Sequence, residues 1–121
     1  MHARVSFILD RLNADFALAD MGSITYVLNP DSGWAAPVWA FKGSETACAY
    51  DDVEGAIATL ANVFQDDVID SLPGIWPSVD GVALLASAES GVACWCLRGK
   101  PWCAVGQLAA ALSSHAEGSA Q

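Results

Sequence analysis

Residues 52 to 70 carry two apolar faces on one helical period, and no other feature limits the fold as much. Val53, Ile57, Leu60, Phe64 and Val68 recur at three- and four-residue spacing and make the main stripe. Ala56, Thr59 and Val63 make a second face of small residues. One stripe can cover a sheet while the other meets something else. Asp51 reads as the N-cap, with Glu54 three residues on as a variant capping box. Short β-branched and aromatic runs stand on both sides of this helix. With short connections they pair mostly antiparallel, so the helix has a sheet to cover.

The flanks fill in that plan. Residues 3 to 20 read as an amphipathic helix, with Val5, Ile8, Leu9, Leu12, Phe16 and Ala19 at helical spacing and Gly22 as its cap. SITYVLN, 23 to 29, alternates as a strand, and NPDSG, 29 to 33, is a turn. A second strand lies within WAAPVWAFK, GSE turns the chain, and TACAY is a third strand. After the central helix, SLPGIWPSVDG, 71 to 81, is a loop punctuated by prolines and glycines. VALLASA is the fourth strand and VACWCLR the fifth, joined by ESG. Val105, Leu108, Ala109 and Leu112 mark a last helix over 102 to 116, and residues 117 to 121 fray. The order α-β-β-β-α-β-β-α implies one α+β domain over 1 to 116, with helices packed on a mainly antiparallel, twisted sheet.

The chain has 121 residues, 54% of them hydrophobic, enough for one domain with a real core. No window reaches the roughly 18 apolar residues of a membrane span. Asp10 and Arg11 interrupt the first apolar run, and no small-residue cleavage site follows, so a signal peptide is not expected. The expected compartment is the cytoplasm, with reduced thiols. Net charge is -9, and Gly43 to Leu97 holds nine acids (Glu45, Asp51, Asp52, Glu54, Asp66, Asp67, Asp70, Asp80, Glu89) and no Lys or Arg. Nucleic acid and anionic membranes are poor partners for such a surface. It suits solubility, a basic protein partner, or DNA mimicry. Asp66, Asp67 and Asp70 near a helix C-terminus oppose the macrodipole by up to ~1 kcal/mol. Either they are exposed and tolerated, or they are kept for a partner.

Candidate chemistry is sparse. Cys94 and Cys96 point to one face of the fifth strand with Val92 and Arg98, while Ala93, Trp95 and Leu97 point to the other. Neighbours on one face have parallel Cβ vectors, which disfavours a disulfide. Cys103 lies across a turn and Cys48 on a distant strand, and the spacing is not that of a zinc site. The four read first as small apolar residues, with metal or redox chemistry as the alternative. His2 and His115 sit near the termini without a nucleophile motif. No phosphate loop or dinucleotide fingerprint is present, and no catalytic residue, metal or cofactor is assigned. Trp76, between prolines, is either a binding anchor or a plug closing one end of the core.

FILDRLNADFAL, GSITYVLN and LLASAESGVACWCLRGKP, in this order of elements, resemble the first helix, first strand and last two strands of class I chaperones of type III secretion effectors. The resemblance covers nearly the whole chain and rests on order, length and acidity. It implies a non-catalytic homodimer that holds the N-terminal segment of a secreted effector in extended form. It assigns Ile8, Leu12 and Phe16, with Tyr26, Leu28, Val38 and Phe41, to an effector-binding patch. It assigns Ala56, Leu60, Val63 and Trp95 to the dimer interface. Two departures stand out: the last helix is short, and the loop 71 to 81 is long and proline-rich. A competing expectation is an acidic inhibitor of the immunity or anti-defence type, which would present Asp66, Asp67 and Asp70 to a basic site. An enzyme using the cysteines or a metal is the third.

Overall fold

The computed structural model describes residues 3–27, 37–72 and 74–119, with side chains to residue 115. Leu28, the turn at 29 to 33 and His2 lie outside the described residues. Helix α1 (Ala3–Phe16) continues as a 3-10 turn (Ala17–Ala19). Asp20, in the left-handed region at φ 55°, ends it two residues before the expected Gly22. Strands β1 (Thr25–Val27), β2 (Val38–Phe41) and β3 (Ser44–Ala47) form one antiparallel sheet in sequence order. Helix α2 (Val53–Ser71) leads to a second antiparallel sheet, β4 (Ser78–Val79), β5 (Val82–Ser87), β6 (Cys94–Leu97) and β7 (Lys100–Ala104). Helix α3 (Leu108–Ser119) closes the chain. This is the expected α+β architecture, with two more strands than the sequence pattern indicates.

The extra strands come from tight turns. Arg98 and Gly99 both have positive φ, 53° and 83°, and pair Leu97 directly with Lys100. That is a two-residue hairpin turn whose twist matches the strands it joins. GKPWC therefore doubles back as β7 instead of starting a helix, and α3 begins at 108 rather than 102. Lys42–Gly43 and Asp80–Gly81 repeat the geometry, so β3 starts at Ser44, ahead of TACAY, and a short β4 forms inside the loop 71 to 81.

The N-cap of α2 is Asp52, not Asp51: its carboxylate accepts the Gly55 N–H at 3.1 Å. Glu54 does not complete a capping box. One of its oxygens accepts the Ala93 N–H at 2.9 Å and the other pairs with Arg11 of α1 at 3.1 Å. Arg11 also donates to the carbonyls of Ala93 and Val105. This network ties both long helices to the ends of β6 and β7.

Phe16, at the last turn of α1, joins the two sheets. Its ring lies 5.6 Å from Phe41 of β2, 5.1 Å from Trp76 and 6.3 Å from Trp95 of β6. Phe41 in turn meets Phe64 of α2 at 5.7 Å. Offset and edge-on pairs at these separations add about 0.5–1.5 kcal/mol each beyond area burial. Trp76 packs edge-on against Phe16 and Trp95, so it closes the core as a plug.

Beneath this cluster Asp15 is fully buried. Its carboxylate accepts from Trp95 Nε1 at 2.8 Å, Gly106 N at 2.6 Å and Leu108 N at 3.0 Å. One acid of α1 thus satisfies backbone donors at the start of α3, where the helix has none of its own partners. Burial raises its pKa above the ordinary carboxylate value, against the pull of those three donors and of the Arg11 charge.

Candidate functional site

Burial separates the expected contact residues sharply. Ile8, Leu12, Phe16, Val38 and Phe41 are at most 1% exposed, because their stripe faces α2 and the sheets. Ala56, Leu60 and Trp95 are also interior, so neither set offers surface in this conformation. Tyr26 is half-buried, stacked edge-on between Trp39 and Tyr50. Val63 alone of the expected dimer residues keeps an apolar surface. Asp66 and Asp70 are exposed, while Asp67 accepts a bond from the Ser44 hydroxyl at 3.3 Å.

Exposed large apolar side chains remain at Phe7, Leu18, Val63, Ile75, Leu85 and Val92; Leu85, the most exposed of them, lies on the outer face of β5, β6 and β7. Leu85, Cys96 and Pro101 sit side by side across the three strands. Their neighbours Leu84, Ala86 and Trp95 turn the other way, into the core. An irregular register between Trp95 and Cys96 bends the sheet, as a bulge does. The result is an open cavity of about 490 Å³, lined by Ala83, Leu85, Cys96 and Pro101 with Arg98 and Glu89 at its borders. Leu85 is 60% exposed at its centre. Within the run VALLASA, alternation cannot be read, so this outward leucine carries no sequence signal.

The strand edges are treated unequally. Asn62 of α2 clasps Ala86 of β5 through both amide atoms, donating to its carbonyl at 2.7 Å and accepting its N–H at 2.9 Å. Gln65 adds a bond to the Leu84 carbonyl at 2.6 Å. Asn13 of α1 clasps Ile24, just before β1, in the same two-bond manner. On β7 the edge position is Pro101. Leu97 and Lys100 close the hairpin, so the next residue directs its nitrogen outward, and proline has no N–H to offer there. These devices deny added strands a template. The sequence signal for them is slight, since an asparagine on a helix normally reads as a solvated polar residue.

The thiols do not converge into a reactive centre among the described residues. All four cysteines are free and half-buried, and no three His, Cys, Asp or Glu side chains gather as metal ligands there. Burial pushes the Cys103 thiol up to about 11 and moves Cys48 and Cys96 upward as well, so these sulfurs stay protonated at neutral pH. His115 pairs with Asp80 at 3.3 Å and lies edge-on to Trp102 at 6.0 Å. No described helix is long and apolar enough to cross a membrane.

No family model, curated protein or solved structure matches this chain. The likeness to class I secretion chaperones therefore rests on the sequence features alone.

Proposed function

We propose that the chain is a non-catalytic holding protein of the class I secretion-chaperone kind. It acts in the cytoplasm, binds an extended N-terminal segment of a secreted effector, and keeps that segment competent for export. The observation that carries this reading is Leu85, 60% exposed in the middle of a concave sheet face. A cavity of about 490 Å³ is of the size that takes ligand side chains specifically. A sheet face suits an extended segment, which offers every second side chain to it. Asn62 and Gln65 cover the part of the β5 edge that they bond, and Pro101 interrupts the β7 edge, so the client lies across the face. Asn62 bonds to Ala86, which sets their chain neighbours Val63 and Leu85 on adjoining elements. A homodimer contact would run through Val63, the expected dimer residue that keeps exposed apolar surface.

Co-expression with a secreted protein encoded beside this chain tests the reading. The wild type is expected to keep the client soluble, and Leu85→Asp, at an exposed position, is expected to fold normally and leave the client insoluble. Equal solubility with both would overturn the groove as the holding site.

A second reading, an acidic inhibitor masking a basic site, is favoured by the exposure of Asp66 and Asp70 within a stretch that has no Lys or Arg. Its association would slow with salt, and replacing Asp66, Asp67 and Asp70 by alanine would cut the association rate.

A further inference from the structure

Strand β3 differs from the other edges. In the β2–β3 hairpin Phe41 and Ser44 close the turn, and Cys48 donates to the Pro37 carbonyl at 2.9 Å four ladder positions later. Those two bonds fix the phase of the pairing. Ser44, Thr46 and Cys48 turn their backbone groups toward β2, so Glu45 and Ala47 turn theirs away. Both are exposed, and no hydrogen bond from another described residue reaches their outward N–H and C=O groups. Among the described residues, no asparagine clasp or proline guards this edge.

Its charge surroundings are also uneven. Glu45 lies in the strand itself. The Ser44–Asp67 bond at 3.3 Å brings the acidic end of α2 to the start of β3. Past the end of β3, an open hollow of about 380 Å³ is lined by Cys48, Asp51, Asp52, Gly55 and Thr59. Lys42, in the turn before Ser44, is the one base adjoining the strand in sequence.

We propose that the free edge of β3, flanked by Glu45, Asp51, Asp52 and Asp67, is a docking strip for an extended, lysine- or arginine-bearing segment of a partner protein, which adds to the sheet as a fourth strand. Backbone bonds supply the register and the acids select the charge. The same acids disfavour pairing of β3 with β3 of a second copy, because like charges would face each other across the new strand pair. This goes beyond the holding function proposed above: it concerns the other sheet and does not depend on the groove.

The test uses the full chain and three synthetic peptides: alternating Lys-Val, alternating Glu-Val, and a Lys-Val peptide of equal charge interrupted by prolines. Amide hydrogen exchange reads the edge itself. The Lys-Val peptide is expected to slow exchange at Glu45 and Ala47 by about tenfold or more at saturation, corresponding to about 1.4 kcal/mol. The Glu-Val peptide is expected to leave both amides unchanged. The proline-bearing peptide is expected to bind at least about tenfold more weakly than its parent. Ala47→Pro removes an outward N–H that no internal bond uses. It is expected to keep the fold, checked by circular dichroism, and to lose binding. If that variant misfolds, the exchange pattern of the wild type decides. Equal binding of the proline-bearing peptide without protection at Glu45 and Ala47 would overturn the proposal, leaving the acids as a diffuse counter-charge. Protection that rises with protein concentration and needs no peptide would overturn it in favour of self-pairing.

Discussion

Asp15 and Glu54 show how single carboxylates act in opposite senses in this molecule. Burial lifts the pKa of Asp15 above its ordinary 3.8, so its contribution to stability is complete below 3.8 and is lost as pH rises through the folded value. The three donors that face its oxygens favour the ionised form, but burial outweighs them. Asp15→Asn puts an amide N–H₂ against one of those donors and is expected to cost about 1–3 kcal/mol in urea denaturation. Burial also pushes Glu54 upward, but the Arg11 bond, the Ala93 N–H and the Arg11 charge outweigh it and hold the carboxyl below its ordinary 4.5. Its contribution is therefore complete above 4.5 and is lost as pH falls through the folded value. Glu54→Gln is expected to cost about 1–3 kcal/mol at neutral pH, with the cost shrinking in acid. A cost of Glu54→Gln that persisted unchanged well below 4.5 would contradict this assignment. Phe16→Ala removes the ring that spans both sheets and is expected to cost about 3–5 kcal/mol.

Elements were legible where periodicity and turn chemistry agree. The stripes of α1 and α2 and the β5–β6 pair stand in the sequence because their apolar residues must face one core. Strand β7 was hidden for a local reason: Arg98 occupies a left-handed position that asparagine or aspartate usually signals, and Pro101 argues against a strand. Lys42 fills the equivalent position between β2 and β3 at φ 53°, so Lys42→Asn is expected to raise stability by up to about 1 kcal/mol, read as a shift in urea midpoint. The helix-to-edge clasps are a second feature of this scale. Asn62→Ala would leave the Ala86 N–H and carbonyl without their partners and open the β5 edge. It is expected to cost about 1–3 kcal/mol and to promote concentration-dependent association, followed by light scattering. The candidate site itself was less legible than the fold. Apolar residues at helical spacing announce a core, and Ile8, Leu12 and Phe16 are core. Leu85 faces outward but lies in a continuous apolar run, where inward and outward positions look alike.

At the scale of the whole molecule, the acids and the apolar groove divide the surface. Charge repels a second copy from most of the middle segment, whereas Leu85 and Val63 offer apolar area that water covers poorly. A holding protein needs that combination: solubility while empty, and a sticky face of limited size. The homodimer expected from the resemblance would show as a mass near twice 12.6 kDa in light scattering. Val63→Lys is expected to shift that mass toward the monomer.

The most direct test of the holding reading is chemical-shift mapping of the chain bound to the N-terminal segment of its client. The groove account predicts that the largest changes fall on Ala83, Leu85, Cys96 and Arg98, and that Leu85→Asp abolishes them. Changes confined to the exposed Phe7 of α1 and Leu18 of the 3-10 turn that follows it, with Leu85 and Cys96 unmoved, would contradict it.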